Sequence, residues 1–140
     1  MSNKQSDNLS GYWTGVYDYP RALREAVPFN AVITDSGGAL SGEIIEPNTF
    51  PGVVDHELFA SLSGARDGMT VSFVKTYEKS VRDKPPVMYE GSLDPTFTRI
   101  EGQWRITGQW SGPFVMNRST GHQASQKDEA AQERDLVKTS

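Results

Sequence analysis

Eight short segments of this chain alternate apolar or aromatic residues with polar ones, and outside the C-terminal tail and one loop no helical repeat interrupts them. Side chains of a β-strand point alternately to opposite faces, so a period of two indicates strands with one buried face. The predicted strands cover residues 11–19, 29–35, 39–46, 56–65, 69–77, 87–94, 96–106 and 108–118. We therefore predict an all-β protein.

Long and short connections alternate between these segments. The short ones are Gly-, Asp- and Pro-containing turns of the kind that joins antiparallel neighbours, at residues 36–38, 66–68 and 94–96. Successive connections of an up-and-down sheet lie at opposite ends, so the longer loops share one end with the last turn, near Thr107. Because eight strands can close around a filled core or one small ligand, we predict an eight-stranded antiparallel up-and-down β-barrel, with a two-sheet sandwich as the alternative.

The chain divides into three parts by composition. We predict a flexible N-terminus at residues 1–10, a barrel domain at 11–118 and a charged tail at 119–140 that is helical or disordered. Residues 125–128 fit a capping box, which favours a short helix in the tail, and we assign no function to this tail. Residues 21–26, in the first long loop, are suited to one or two helical turns that would form a small lid.

Charge and composition exclude several classes of function. The net charge is −4, and 14 basic residues are spread among 18 acidic ones, so neither nucleic acid nor an anionic membrane is an expected partner. Cysteine is absent, which excludes disulfides and thiolate chemistry. No apolar run suits a membrane span or signal peptide, and we predict a cytoplasmic protein. With only two histidines, we expect no metal site and no cofactor.

Period two also predicts which side chains point into the barrel. The expected base is almost entirely apolar and contains Trp13, Leu40, Leu62, Met69, Leu93, Ile100, Met116 and Arg118. The upper interior and mouth combine aromatic rings with a few ionisable groups, as small-molecule sites do. The candidate ligand-binding residues are Tyr17, Tyr19, Ile44, Glu46, His56, Phe73, Lys75, Tyr77, Tyr89, Trp104, Trp110 and Phe114. The alternative is that the aromatic residues fill the core and the charged ones reach solvent.

We predict a small-molecule binding protein and keep two alternatives. No common enzyme motif is present, but Glu46 and His56 flank one loop and can serve as acid and base. With a tyrosine as hydrogen-bond donor, they would suit a small isomerase, cyclase or lyase. The second alternative is an interaction module with a filled barrel that forms a homodimer or homotetramer. Its contact would use the outward residues Tyr12, Val16, Phe59, Val74 and Val115.

Residues at the start of the first strand and at the end of the last strand resemble a known family signature. Gly11-Tyr12-Trp13 opens the first strand and Arg118 closes the last, which resembles the calycin superfamily, where an arginine covers a G-x-W tryptophan at the barrel base. Spacing within residues 10–118 is most similar to the avidin and streptavidin family, through 38–42, 62–64 and 103–104. This resemblance implies a barrel with a pocket at one end.

The biotin-binding residues of that family are not matched. The resemblance would require an asparagine where this chain has Gly15, and a tyrosine and a serine where it has Ile44 and Glu46. Two tryptophans of the family correspond to Phe73 and Tyr89, and no acidic residue lies on the eighth strand. We therefore do not predict biotin binding.

Overall fold

The computed structural model describes residues 8–20, 25–47, 57–78 and 84–119. They form a closed barrel of eight strands, each paired antiparallel with its neighbours in sequence. The strands are β1 (Gly11–Tyr17), β2 (Val27–Ser36), β3 (Ala39–Pro47), β4 (Glu57–Asp67), β5 (Thr70–Tyr77), β6 (Val87–Leu93), β7 (Arg99–Arg105) and β8 (Ser111–Arg118). The predicted all-β, eight-stranded barrel is confirmed.

Burial alternates along the strands as period two requires, most regularly over the ten residues of β2. The barrel closes where β1 pairs with β8, which places Trp13 opposite Arg118 and Tyr17 opposite Phe114. Apolar side chains from all eight strands meet inside in one continuous core. A sandwich would instead leave two separate sheets, so closure of β8 onto β1 excludes that alternative.

The two ends of the barrel differ in the connections they carry. At one end, here called the base, lie the tight turns that follow β2, β4 and β6; Gly37, Gly38 and Gly68 adopt positive φ angles there. At the other end, here called the mouth, β1, β3 and β5 end, β2, β4 and β6 begin, and a turn joins β7 to β8. The predicted helical turns at 21–26 lie mostly outside the described residues, and the tail beyond residue 119 lies entirely outside them.

Trp13 and Arg118 close the base. The Arg118 guanidinium carbon lies 5.0 Å from the centre of the Trp13 ring, and the Trp13 indole N–H donates to the carbonyl of Leu9 at 2.9 Å. The Arg118 Nε donates to the Phe97 carbonyl at 3.1 Å. Another guanidinium N–H bonds the carbonyl of Asn8. The cation–π contact and these bonds tie the segment before β1 to the end of β8.

Asp35, at the end of β2, is a second anchor of the base. Its buried carboxylate accepts hydrogen bonds from the backbone N–H of Leu9 at 3.0 Å, from that of Gly38 at 2.8 Å and from Arg66 Nε at 2.9 Å. Burial alone would raise the pKa of Asp35, but the bonds from Leu9, Arg66 and Gly38 outweigh it and hold that pKa below its usual value. Asp35 is therefore a charged acceptor that fixes the first β-turn.

Several strand ends and one side chain differ from the sequence prediction, and the largest differences are at the starts of β7 and β8. β1 ends at Tyr17 because the next residue, Asp18, donates its N–H to Pro113 and accepts from the Trp104 indole. β8 begins at Ser111, since the backbone bond from Ile106 to the Trp110 carbonyl closes a turn there. Met69 was expected to point inward but is 40% exposed in the turn before β5, so that placement is wrong. No helix in the described part of the chain has the length and apolar character needed to cross a bilayer.

Candidate functional site

A cavity of about 270 Å³ opens at the mouth of the barrel. The mouth-side ends of β1, β5, β6 and β7 supply its inner wall, and the connections before β6 and β8 supply its rim. Its lining residues are Tyr17, Tyr19, Lys75, Tyr77, Lys84, Pro85, Val87, Tyr89, Trp104, Ile106, Gln109 and Trp110. Six of these twelve residues are tyrosine or tryptophan.

A buried ion pair forms the floor of this cavity. Lys75 Nζ donates to Glu46 Oε1 at 2.9 Å, and the two residues are only 1% and 2% exposed. Glu46 comes from β3 and Lys75 from β5, so the pair crosses the interior past β4. A charge so buried is retained only with a partner, which explains why the two residues occur together.

Two tyrosine hydroxyls complete the coordination of Glu46. Tyr17 and Tyr77 each donate to Glu46 Oε2 at 2.9 Å. Both oxygens of the carboxylate are therefore engaged, one by an ammonium and one by two hydroxyls. In the described residues no buried side-chain nitrogen or oxygen lacks a hydrogen-bond partner. The floor is a satisfied polar network, the arrangement in which buried polar groups hold one fixed geometry.

The ionisation behaviour of these groups follows from burial. Desolvation, with a smaller contribution from the negative charge of Glu46, raises the pKa of Tyr17, Tyr77 and Tyr89 well above the ordinary range of tyrosine. Desolvation lowers the pKa of Lys75, although the adjacent carboxylate acts in the opposite direction. The tyrosines are consequently neutral donors, and the ion pair holds the charged form of Lys75 against desolvation.

Three aromatic rings surround the Lys75 ammonium. Its nitrogen lies 4.6 Å from the ring centres of both Tyr17 and Tyr77 and 5.6 Å from that of Tyr89. These distances are within the range of cation–π attraction, which is strongest for a desolvated cation. The protein's own lysine thus occupies the electron-rich faces of the rings nearest the floor.

A second aromatic group forms the wall toward the mouth. Tyr19 contacts Trp104 edge to face at 5.7 Å between ring centres and Trp110 at 5.5 Å. The Trp104 indole N–H is bonded to the Asp18 carbonyl at 2.8 Å, which fixes the ring in the wall. Trp110 is 38% exposed and stands at the opening, where a bound molecule would meet it. The wall therefore combines a fixed ring with an accessible one.

The described site residues expected from the sequence separate into two groups. Those that line the cavity are Tyr17, Tyr19, Lys75, Tyr77, Tyr89, Trp104 and Trp110. Ile44, Phe73 and Phe114 are buried but are not among the lining residues, and Glu46 lies behind Lys75 in the floor. Phe73 stacks on Tyr89 at 4.8 Å and supports that ring from below. His56 lies outside the described residues, so its relation to Glu46 stays a prediction.

Five lining residues were not selected from the sequence: Lys84, Pro85, Val87, Ile106 and Gln109. The alternation of two predicts that Val87 and Ile106 face inward. Because both lie near the mouth-side ends of their predicted strands, the sequence could have identified them as lining residues. Lys84 and Gln109 lie in connections, where no periodicity predicts the direction of a side chain. Within the described ranges, no group of three or more His, Asp or Glu side chains is suited to hold a metal ion.

No protein-family model matches the chain, and no curated protein matches it.

Proposed function

We propose that the barrel binds a small, largely aromatic or apolar molecule at its mouth and does so without catalysis. The observation that carries this proposal is the cavity of about 270 Å³ between fixed aromatic rings and a fully hydrogen-bonded polar floor. Small-molecule sites typically combine apolar walls with a few fixed polar groups, and their volumes start at about 300 Å³. A cavity of this size suits a molecule of one or two rings.

The arrangement of Glu46 favours binding over acid–base catalysis. A general base must reach the proton that it removes, whereas the oxygens of Glu46 already accept from Lys75, Tyr17 and Tyr77, each at 2.9 Å. The three donors stand between the carboxylate and the cavity. In this arrangement Glu46 orients donors and does not act on a ligand.

We also propose that the barrel is a calycin-like fold with avidin-like strand spacing. Support comes from the eight-stranded closed sheet and from the position of Arg118 over Trp13 at the base. Biotin remains excluded from the proposal. A side chain at Gly15, where the resemblance would require asparagine, would approach the Phe29 ring to 2.3 Å, so the space beside that position is filled.

A thermal-shift screen with one- and two-ring aromatic compounds tests the proposal. A ligand at a hundred times its Kd stabilises the folded state by about 2.7 kcal/mol, which raises the Tm by several degrees. Trp110→Ala should abolish the shift. Tyr12→Ala is the matched control, because Tyr12 is equally exposed at 42% but lies on the outer face of β1. No shift with any compound, or equal loss in both variants, would contradict a mouth site.

A further inference from the structure

We infer that the ligand of the mouth cavity carries a negatively charged group, and that Lys75 at the floor and Lys84 at the rim receive it. The expected chemical class is a small aromatic acid, with the ring against the aromatic wall and the carboxylate toward the floor. This inference rests on the proposed function and adds the charge of the ligand to it. Three observations support it: the hydrogen-bond donors of the floor lie on the cavity side, the charged lining residues are positive, and Lys75 already occupies the aromatic faces near the floor.

The floor network presents its positive end to the cavity. Lys75, Tyr17 and Tyr77, which donate to Glu46, all line the cavity, whereas Glu46 does not. A ligand group at the floor is therefore closer to the ammonium than to the carboxylate. Coulomb energy falls with distance, so the nearer positive charge dominates for an anion. Because Lys75 is only 1% exposed, little water competes for this interaction.

The charged side chains among the described lining residues are positive. Among the described residues that line the cavity, Lys75 and Lys84 are cationic and none has a carboxylate. Both charged side chains among these lining residues are therefore cationic, although the net charge of the chain is −4. Cationic groups that line a cavity attract anions to it.

The aromatic faces near the floor are not free for a cationic ligand. Aromatic cages bind ammonium groups through ring faces, but here Lys75 lies 4.6 Å from the ring centres of Tyr17 and Tyr77. A second cation in the cavity would be repelled by the first. A neutral molecule would gain the ring contacts of the wall without the charge interaction. The geometry therefore ranks the three ligand classes as anion, neutral molecule, cation.

Three fluorinated probes of matched size test this ranking: 4-fluorobenzoate, 4-fluorobenzyl alcohol and 4-fluorobenzylamine. Their Kd values are measured on the full chain at neutral pH by fluorine NMR line broadening. A hydrogen bond from a charged donor predicts that the benzoate binds roughly tenfold more tightly than the alcohol, with the amine weakest. Tighter or equal binding of the alcohol would overturn the charge inference and leave the proposed function standing. Absence of binding by all three would overturn both.

Variants assign the charge effect to the two lysines. Lys84→Gln removes the rim charge and should weaken benzoate binding several-fold with little effect on the alcohol. Arg105→Gln is the matched control, since it removes one exposed charge on β7 outside the lining. If Arg105→Gln weakens benzoate binding as much as Lys84→Gln does, the effect is one of overall charge and the rim assignment is wrong.

Lys75 is tested together with its partner so that no buried charge is left alone. The double variant Glu46→Gln/Lys75→Met removes both charges of the floor pair. Because Lys84 is intact in this variant, the ratio of the two Kd values should fall from roughly tenfold to the few-fold preference that Lys84 supplies. Circular dichroism and Tm confirm that the variant is folded. A folded double variant that keeps the full preference for benzoate would exclude Lys75 as the receiving group.

Discussion

The buried pair of Glu46 and Lys75 contributes a fixed polar floor more than it contributes stability. Removing two charges from water costs several kcal/mol per ion, which their mutual attraction only offsets when the geometry and the additional hydrogen bonds are good. Here Tyr17 and Tyr77 supply those bonds at 2.9 Å. The energetic consequence is asymmetric, because losing one partner leaves the other charge buried and unpaired.

Lys75→Met should therefore lower the free energy of unfolding by about 3–5 kcal/mol, whereas the double variant Glu46→Gln/Lys75→Met should lose less than half as much. Arg99→Met is the control, since it breaks an ion pair to Glu101 whose side chains are 46% and 63% exposed and should cost below about 0.5 kcal/mol. Urea unfolding measures all three. A double variant no more stable than Lys75→Met would show that the pair is not coupled.

The buried tyrosines predict a single step in alkaline titration. Burial, and then the charge of Glu46, raises the pKa of Tyr17, Tyr77 and Tyr89 above the ordinary value. The folded state therefore keeps these protons above pH 10, where the unfolded chain releases them, so stability is intact below pH 10 and falls as pH rises beyond it. Tyrosinate absorbance from these residues should appear together with loss of the far-ultraviolet dichroism of the strands.

Replacing single tyrosines by phenylalanine shows which of them contribute to that absorbance step. Tyr77→Phe should reduce its amplitude by about one third, because one of three contributing hydroxyls is removed. Tyr12→Phe is the control for removal of a hydroxyl on the outer face. Absorbance of all five tyrosines rising smoothly before the dichroism changes would contradict burial of the three hydroxyls.

Sequence reasoning placed Glu46 and Lys75 on the inner face but could not pair them. Through β4, the pairing register sets Lys75 level with Gly42, since both lie opposite Leu62. The hydrogen bond of Lys75 nevertheless reaches Glu46, four residues further along β3. Strand tilt in a closed barrel brings residues of different register to the same height, and tilt depends on a shear that no single strand encodes.

At the scale of elements, inward glycines allow neighbouring strands to approach closely. Gly102 on β7 lies opposite Gly91 on β6. A Cβ on Gly102 would lie 1.9 Å from the Glu90 carbonyl oxygen and 2.5 Å from the Gly91 Cα. Both atoms are backbone, so neither can move without displacing β6. The sequence predicts glycine at inward positions. The structure explains it at Gly102, because the backbones of two neighbouring strands are too close there to admit a Cβ atom.

Gly102→Ala should accordingly destabilise the barrel by about 3 kcal/mol or more. Gly68→Ala is the comparison, because Gly68 has a positive φ of 63° but open space around its Cβ position, and the left-handed conformation alone costs about 1 kcal/mol. Urea unfolding of both variants gives the difference. Equal losses would mean that β6 relaxes away from the new methyl group.

Strand identities followed from periodicity, while strand ends depended on side-chain hydrogen bonds. Alternation predicted all eight strands, but β1 stops at Tyr17 because the Trp104 indole takes the next carbonyl, that of Asp18. This bond joins positions 86 residues apart. A pattern read within a window of ten residues carries no information on such a partner, and the same limit applies to the lining residues Lys84 and Gln109.

At the scale of the whole molecule, the contacts that tie the chain ends together and the proposed binding cavity lie at opposite ends of the barrel. Trp13, Arg118 and Asp35 tie the chain together at the base, whereas the cavity and both lining lysines lie at the mouth. The interior between them is filled by close-packed rings such as Phe73 and Phe114. Substitutions at distant sites without shared partners change the free energy of unfolding additively. A substitution at one end should therefore have the same effect whether or not the other end is altered.

A pair of variants, one at each end, tests this separation. Arg118→Lys loses the bonds from the guanidinium to the Phe97 and Asn8 carbonyls and should lower the free energy of unfolding by about 1–3 kcal/mol. Its Kd for 4-fluorobenzoate should stay that of the parent. In the double variant Arg118→Lys/Lys84→Gln, the two changes in unfolding free energy should add to within about 0.5 kcal/mol. The Kd of this double variant should match that of Lys84→Gln alone. A change in Kd on substituting Arg118 would show that closure at the base sets the shape of the mouth, since the two are joined by every strand of the barrel.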